Sequence, residues 1–261
     1  MSIIKAKKSL GQHFLCDRNV CSSIINSSIA IHEKVVVEIG PGYGALTSEI
    51  LAKNPKHLFL IEKDRDLAAR LRLLHANNTQ VTLIQGDALY VSLSSLSDEK
   101  VVIISNLPFN IGTKLLKNWL CNEREQIYHL TLMMQKEVAD RVCAPVGDKD
   151  YGRLSILCQF LAKTEKSFDV PKEAFLPQPK VTSSILQITP FTKTVNLEEF
   201  NLLQEILRAA FSLKRKAIKT SLKAFLSSQD FLTIGIPCSE IPRKLTIEDF
   251  LKIVSFKIKQ D

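Results

Sequence analysis

From Val35 to Met134 the chain alternates short aliphatic, β-branched runs with longer helical patterns, and that alternation leaves few folds open. Val35 to Ile39, His57 to Ile61, Val81 to Gln85 and Val101 to Ser105 read as strands, and Leu130 to Met134 can add a fifth. One helix is predicted to run to about Ala52 and another from Asp64 to His75, with Leu67, Leu71 and Leu74 on one face. Asp17 is placed to cap an earlier helix through about Ser27, with Val20, Ile24 and Ile25 inward. Strands separated by helices pair in parallel, and nearly continuous apolar runs fit a sheet covered on both faces. Ligands of such sheets bind beyond the carboxyl ends of the strands. Gly40, Glu62, Asp87 and Asn106 all fall at such ends, so they predict one shared site.

After Pro190 the pattern changes. Leu197 to Ala210, Lys214 to Leu226 and Ile247 to Val254 read as helices, with no strand that has a partner. The reading is therefore an α/β domain over 1–190 and a small all-helical domain over 191–261. The helical part carries Arg208, Lys214, Arg215, Lys216, Lys219 and Lys223 with no acidic residue between Ile206 and Leu226. Lys5, Lys7 and Lys8 add charge at the N-terminus, and 35 Lys and Arg against 27 Asp and Glu give a net charge of +8. Such an excess favours an acidic partner, with nucleic acid first among them. The six cysteines form no Cys-x-x-Cys pair and the five histidines are scattered, so no metal site is expected and the thiols fit a reducing cytosol. No secretory signal is visible and no apolar run is long enough to span a membrane. A cytoplasmic, monomeric protein is expected.

The turn after the first strand, Gly40-Pro-Gly-Tyr-Gly44, lets backbone approach a ligand closely. Glu62, 22 residues after Gly40, can accept hydrogen bonds from ribose hydroxyls. Two cofactors fit the glycines. Gly40-x-Gly42-x-x-Ala45 satisfies a dinucleotide fingerprint, and Glu38-x-Gly40-x-Gly42-x-Gly44 resembles the first motif of S-adenosylmethionine methyltransferases.

Asn106-Leu107-Pro108-Phe109 decides between them, because it resembles the (Asp/Asn/Ser)-x-Pro-(Tyr/Phe) motif of enzymes that methylate exocyclic amines of bases. The N6 lone pair of adenine is delocalised into the ring, so the amine is a poor nucleophile. Two acceptors on its N–H groups localise and aim that pair. The Asn106 side-chain oxygen and the Pro108 carbonyl are the expected acceptors, and Phe109 offers an aromatic face to the extruded base. No dedicated general base is needed.

The ordered set of motifs is similar to the KsgA/RsmA family of small-subunit (16S) ribosomal RNA adenine N6,N6-dimethyltransferases over nearly the whole chain. It comprises Lys8-Ser-Leu-Gly-Gln-His-Phe-Leu15, Glu38-Ile-Gly-Pro-Gly42, Asp64-Arg-Asp-Leu-Ala68, Gly86-Asp-Ala-Leu89 and Asn106-Leu-Pro-Phe109. Leu132-Met-Met-Gln-Lys-Glu137, Tyr151-Gly-Arg-Leu-Ser155 and Phe175-Leu-Pro-Gln-Pro-Lys-Val181 continue it. The resemblance implies a Rossmann-like sheet binding S-adenosylmethionine in 1–190 and an rRNA-contacting helical domain in 191–261. His13 and Leu15 would close over the cofactor, Gly40 approach its methionine part, Glu62 its ribose and Asp87 its adenine. Asn106 would serve both cofactor and target amine, and Phe175 would face Phe109 across the target adenine. Two adjacent dimethyladenosines near the 3′ end of 16S rRNA, made by four transfers on an immature small subunit, are the implied product. His13 stands where Asn is frequent, and Phe109 where Tyr is usual, so a hydroxyl contact is lost while stacking survives.

Three other functions share parts of this pattern. A 23S rRNA adenine methyltransferase of the antibiotic-resistance type shares the clamp, but those relatives more often carry Gly-Ser-Gly and Asn-Ile-Pro. A mainly non-enzymatic ribosome-assembly factor explains the basic segment but not an intact cofactor turn. A nicotinamide-dependent oxidoreductase fits the glycines and leaves Asn106-Leu-Pro-Phe109 without a purpose.

Overall fold

The computed structural model describes residues 6–7, 11–213 and 215–260. Lys5, Lys8 and Lys214 lie outside the described residues. The order of elements begins β1 (Phe14–Leu15), α1 (Arg18–Ser27), β2 (Val35–Ile39), α2 (Ala45–Leu51), β3 (His57–Glu62), α3 (Arg65–Leu74) and β4 (Val81–Gln85). It continues with β5 (Val101–Asn106), α4 (Gly112–Asn122), β6 (Ile127–Gln135), α5 (Lys136–Cys143), α6 (Arg153–Leu161), β7 (Ala162–Val170), β8 (Phe175–Leu176) and β9 (Ser183–Pro190). Helices α7 (Leu197–Ala210), α8 (Ile218–Ser221), α9 (Ser228–Thr233) and α10 (Ile247–Ile258) complete it. The chain divides into two compact units, Met1–Ala139 with Ala162–Pro190, and Asp140–Leu161 with Phe191–Asp261.

The first unit is built on a seven-stranded sheet of order β4-β3-β2-β5-β6-β9-β7. Strands β4, β3, β2, β5 and β6 are parallel, as the alternation predicted. The sheet ends antiparallel, through β9 on β6 and β7 on β9. β7 was not legible because its charged residues Lys163, Glu165, Lys166 and Asp169 fit an edge, where one side is solvated and apolar periodicity fades. Register brings the strand ends level with one another. Ile39 pairs with Ile61, Glu62 with Gln85 and Asn106 with Met133, so the ends of β2, β3, β4 and β5 form one rim. The order reverses direction between β2 and β5, which opens a crevice there. Ile24, Ile25, Leu46 and Ile50 from α1 and α2 bury against Val36, Leu58, Val102 and Ile104 of the sheet. Asp17 caps α1, accepting from the amides of Asn19 and Val20.

On α3, Leu67 and Leu71 are buried but Leu74 is exposed, contrary to the predicted face. The buried arc runs through Leu67, Ala68 and Leu71, and at 100° per residue its continuation is His75, not Leu74.

In the second unit, α7 and α10 bury Leu203, Ile206, Leu207, Phe250 and Ile253 with Phe211, Ile218, Leu222 and Phe231. Asn196 caps α7, and Thr246 with Asp249 forms a capping box on α10. The predicted helix from Lys214 to Leu226 shrinks to α8. The amides of Ile218 and Lys219 donate to Glu240 and Cys238 carbonyls, so helical bonding starts only beyond them. Tyr151 is buried, its hydroxyl donating to the Leu245 carbonyl at 3.2 Å, a structural role within this unit. No helix among the described residues is long and apolar enough to cross a membrane.

Candidate active site

The chain leaves β2 through Gly40 (φ 64°) and Gly42 (φ 59°), both in the left-handed region that favours glycine. A Cβ on Gly42 would meet the Phe14 ring at 3.0 Å. Glu62 holds the turn: one carboxylate oxygen accepts from the Gly42 amide at 3.2 Å, the other from the Asp64 amide at 2.8 Å. The Lys63 amide also bonds to this carboxylate, so three backbone donors hold it and the rest of its acceptor capacity is left for a ligand. Burial raises the Glu62 carboxyl above its ordinary range, against the pull of these amides. Behind it, Glu38 is buried and accepts from the Thr47 hydroxyl at 2.6 Å. Desolvation pushes its carboxyl up to about 8, Thr47 opposing and the Glu62 charge adding.

Asp87 caps the next turn through the Leu89 amide at 3.0 Å and pairs with Lys63 at 2.9 Å. Burial works to raise its carboxyl, but the Lys63 and Leu89 bonds prevail and hold it below the usual range.

The N-terminal segment is fastened over this rim. Asp64 caps α3 and accepts from Gln12 at 2.9 Å and Lys7 at 2.8 Å. β1 pairs antiparallel with β8, Phe14 opposite Leu176 and Leu15 opposite Phe175. Neither Gln12 nor Asp64 was singled out for a site role from sequence, although both sit in recognised motifs. Their link spans 52 positions and shows only in three dimensions.

At the end of β5 the Asn106 side-chain amide donates to the His13 carbonyl at 3.1 Å. Its oxygen receives no hydrogen bond among the described residues. The Pro108 carbonyl, expected as the second acceptor, is already used. The amides of Ile111 (3.1 Å) and Gly112 (3.0 Å) donate to it at the start of α4, which engages both lone pairs. The Leu107 carbonyl, one residue earlier, carries no hydrogen bond among the described residues, while the Leu107 amide donates to Met133 at 3.2 Å. Phe109 lies with its ring centroid 5.6 Å from that of His13, the planes inclined by 31°.

His13, Gly40, Glu62, Asp87, Asn106, Pro108 and Phe109 therefore line one open cleft, together with Gln12, Leu107 and Ile111. Leu15 lines a smaller cavity of about 330 Å³ that shares His13, Gly40 and Asn106 with the cleft and reaches Glu38. Phe175 is not brought to the cleft. It is 2% exposed and packs with Leu15, Cys21 and Val170 in the core, because strand alternation turns its neighbour Leu176 outward instead. It therefore does not face Phe109 in this structure. Arg208, Arg215, Lys216, Lys219 and Lys223 belong to the other unit, where Arg208, Arg215, Lys216 and Lys219 are exposed and Lys223 is exposed with them. Lys214 lies outside the described residues. No cluster of three His, Cys, Asp or Glu able to hold a metal occurs among the described residues.

A turn that admits backbone close to a ligand, a carboxylate with spare acceptors and a rim of free oxygens beside an aromatic ring suit a nucleoside cofactor next to a base. A family model described as ribosomal RNA adenine dimethylase matches residues 3–259. The chain is 41% identical over 254 residues to a Ribosomal RNA small subunit methyltransferase A of Wolbachia sp. subsp. Drosophila simulans (strain wRi), covering 95% of this chain and 92% of that protein. A crystal structure of a dimethyladenosine transferase from Plasmodium falciparum superposes with a TM-score of 0.79 at 26% identity, covering 95% of this chain and 98% of that one. The 23S rRNA methyltransferase ErmE shares the fold, with a TM-score of 0.72 at 23% identity over 93% of this chain and 98% of its own.

Proposed function

The chain belongs to the ribosomal RNA adenine dimethylase family, and from that premise we propose that it transfers methyl groups from S-adenosylmethionine to N6 of two adjacent adenosines near the 3′ end of 16S rRNA. The product is a pair of N6,N6-dimethyladenosines. The observation that carries this reading is the single cleft in which the glycine turn and Glu62 share walls with Asn106, Leu107 and Phe109. It favours an adenine beside a nucleoside cofactor over a nicotinamide site.

Glu62 would bind the cofactor ribose through its remaining lone pairs, and the turn at Gly40 would admit the methionine part. Asp87, with Lys63 beside it, would meet the adenine edge. When bound, S-adenosylmethionine supplies a methyl group already activated on a sulfonium, so the protein's task is placement. The Asn106 side-chain oxygen takes one N–H of the target amine and the Leu107 carbonyl the other. Pro108 serves through its ring and through the helix start that its carbonyl closes, and Phe109 stacks on the base, a contact of about 1–3 kcal/mol. A monomethylated adenine still has one N–H to offer, so one of the two acceptors suffices for the second transfer. The proton leaves to water from a nitrogen that is acidic once alkylated, and no side chain has to act as base.

The unit of Met1–Ala139 with Ala162–Pro190 would bind the cofactor and carry catalysis, and the unit of Asp140–Leu161 with Phe191–Asp261 would contact rRNA, in a cytoplasmic monomer acting on an immature small subunit. The test is transfer of labelled methyl groups to under-methylated small subunits, mature small subunits and large subunits, followed by nucleoside analysis. Dimethyladenosine in the first substrate alone is expected. Labelling of large subunits instead would assign the chain to the resistance type.

A further inference from the structure

Asn106 is useful only one way round. Its two amide ends have almost the same shape, yet the oxygen must face the target amine, which offers donors, and the NH2 must face elsewhere. The partner that fixes this is the His13 carbonyl, accepting from the Asn106 Nδ2 at 3.1 Å. A reversed amide would set oxygen against oxygen there and N–H against N–H at the substrate.

The His13 carbonyl needs a support of its own. β1 begins at Phe14, so His13 is the first residue beyond the β1–β8 ladder and no strand pairing holds it. Its ring provides the substitute. Nδ1 lies 2.8 Å from the Pro177 carbonyl, an acceptor, so Nδ1 carries the proton and donates. The ring also rests against Phe109, centroids 5.6 Å apart. One residue thus joins the loop after β8 to the loop after β5.

We infer that His13 is a positioning residue for methyl transfer: its Nδ1–H bond to the Pro177 carbonyl holds its own carbonyl, which in turn sets the Asn106 amide with the oxygen toward the target amine. The inference rests on the adenine-methylating reading and goes beyond it by giving His13 a duty toward the amine, distinct from a cofactor contact.

Two substitutions separate the bond from the ring. His13→Phe keeps a ring beside Phe109 and removes the donor. His13→Asn keeps a donor nitrogen on Cγ, where Nδ1 sits, and removes the ring. Single-turnover methylation of under-methylated small subunits is measured at saturating S-adenosylmethionine, with cofactor affinity measured separately by calorimetry. At saturating cofactor the Phe variant is expected to react about tenfold more slowly, the effect of one lost hydrogen bond, a loss larger than any change in its cofactor affinity. The Asn variant recovers most of that loss. A Phe variant as fast as the parent, an Asn variant as slow as the Phe variant, or a rate that falls in step with cofactor affinity would each overturn the inference. A parent protein that binds cofactor but leaves adenine unmodified on every ribosomal substrate sinks the underlying reading instead.

Discussion

Glu38 lies fully within the fold, bonded to Thr47, with its carboxyl raised from 4.5 to about 8 chiefly by desolvation. The folded chain therefore binds this proton more tightly than the unfolded chain. The associated stability is complete below about pH 4.5 and is lost as pH rises toward 8. Glu38→Gln keeps an acceptor for Thr47 and cannot ionise. Its melting temperature relative to the parent should climb between pH 5 and 8.5, and a constant gap in thermal melts would show that Glu38 titrates as an ordinary carboxyl. Asn106→Ala removes the amine acceptor and should slow single-turnover transfer by about 10²–10³-fold with circular dichroism unchanged, as for loss of a preorganised polar group. A rate near that of the parent would exclude amine positioning by this side chain. At this scale the sequence showed which residue types gather, because Gly40, Glu62, Asp87 and Asn106 each end a strand. It did not show which carbonyl stays free. That depends on where α4 starts, and the Ile111 and Gly112 amides take the Pro108 oxygen and leave the one at Leu107. Nor does a motif show the side of a strand on which a ring projects, and the Phe175 ring is buried in the core.

Among the elements, β2 and β5 were legible because burial along almost their whole length leaves mainly Val and Ile in them, and β3, β4 and β6 because each keeps a short aliphatic run. The antiparallel end was not, since β7 is a charged edge, and neither was the separate β1–β8 pair, whose strands span two residues each, too few for any period to appear. α8 was overdrawn for want of the tertiary partners at Cys238 and Glu240 that consume its first amides. The start of α3 is where an element and the site meet. Asp64 caps the helix through the Asp66 amide at 3.0 Å and anchors the N-terminal segment through Gln12. Asp64→Ala gives up a cap of about 1 kcal/mol and a buried hydrogen bond of about the same size, so urea unfolding should report a loss of about 2 kcal/mol. Cofactor affinity should fall with it, because Gln12 and His13 are then less firmly held at the cleft. A loss under about 0.5 kcal/mol would mean that β1–β8 pairing alone fastens the segment.

For the molecule as a whole, the cleft and the longest basic run lie on different units. The cleft is lined by the first, while Arg208, Arg215, Lys216, Lys219 and Lys223 stand exposed on the second. The break in pattern at Pro190 was readable because alternation stops there. The membership of Asp140–Leu161 in the helical unit was not, since Tyr151 and Ile156 join Leu203, Phe211 and Phe250 across some fifty to a hundred positions that no local pattern reports. The basic residues are crowded into a short span that includes the turn before α8. If their charge is there for rRNA phosphates, each contact releases a counterion, and log K falls with log salt by about 0.7–0.9 per phosphate. Replacing Arg215, Lys216 and Lys219 with Ala should then weaken binding to small subunits and flatten the salt slope by about 2, while cofactor affinity in the separate cleft stays as it was. Filter binding across a salt series checks this. Weaker binding with an unaltered slope would mean that these side chains act through shape, and no change in either would make them a solvated face and move the RNA contact elsewhere on the chain.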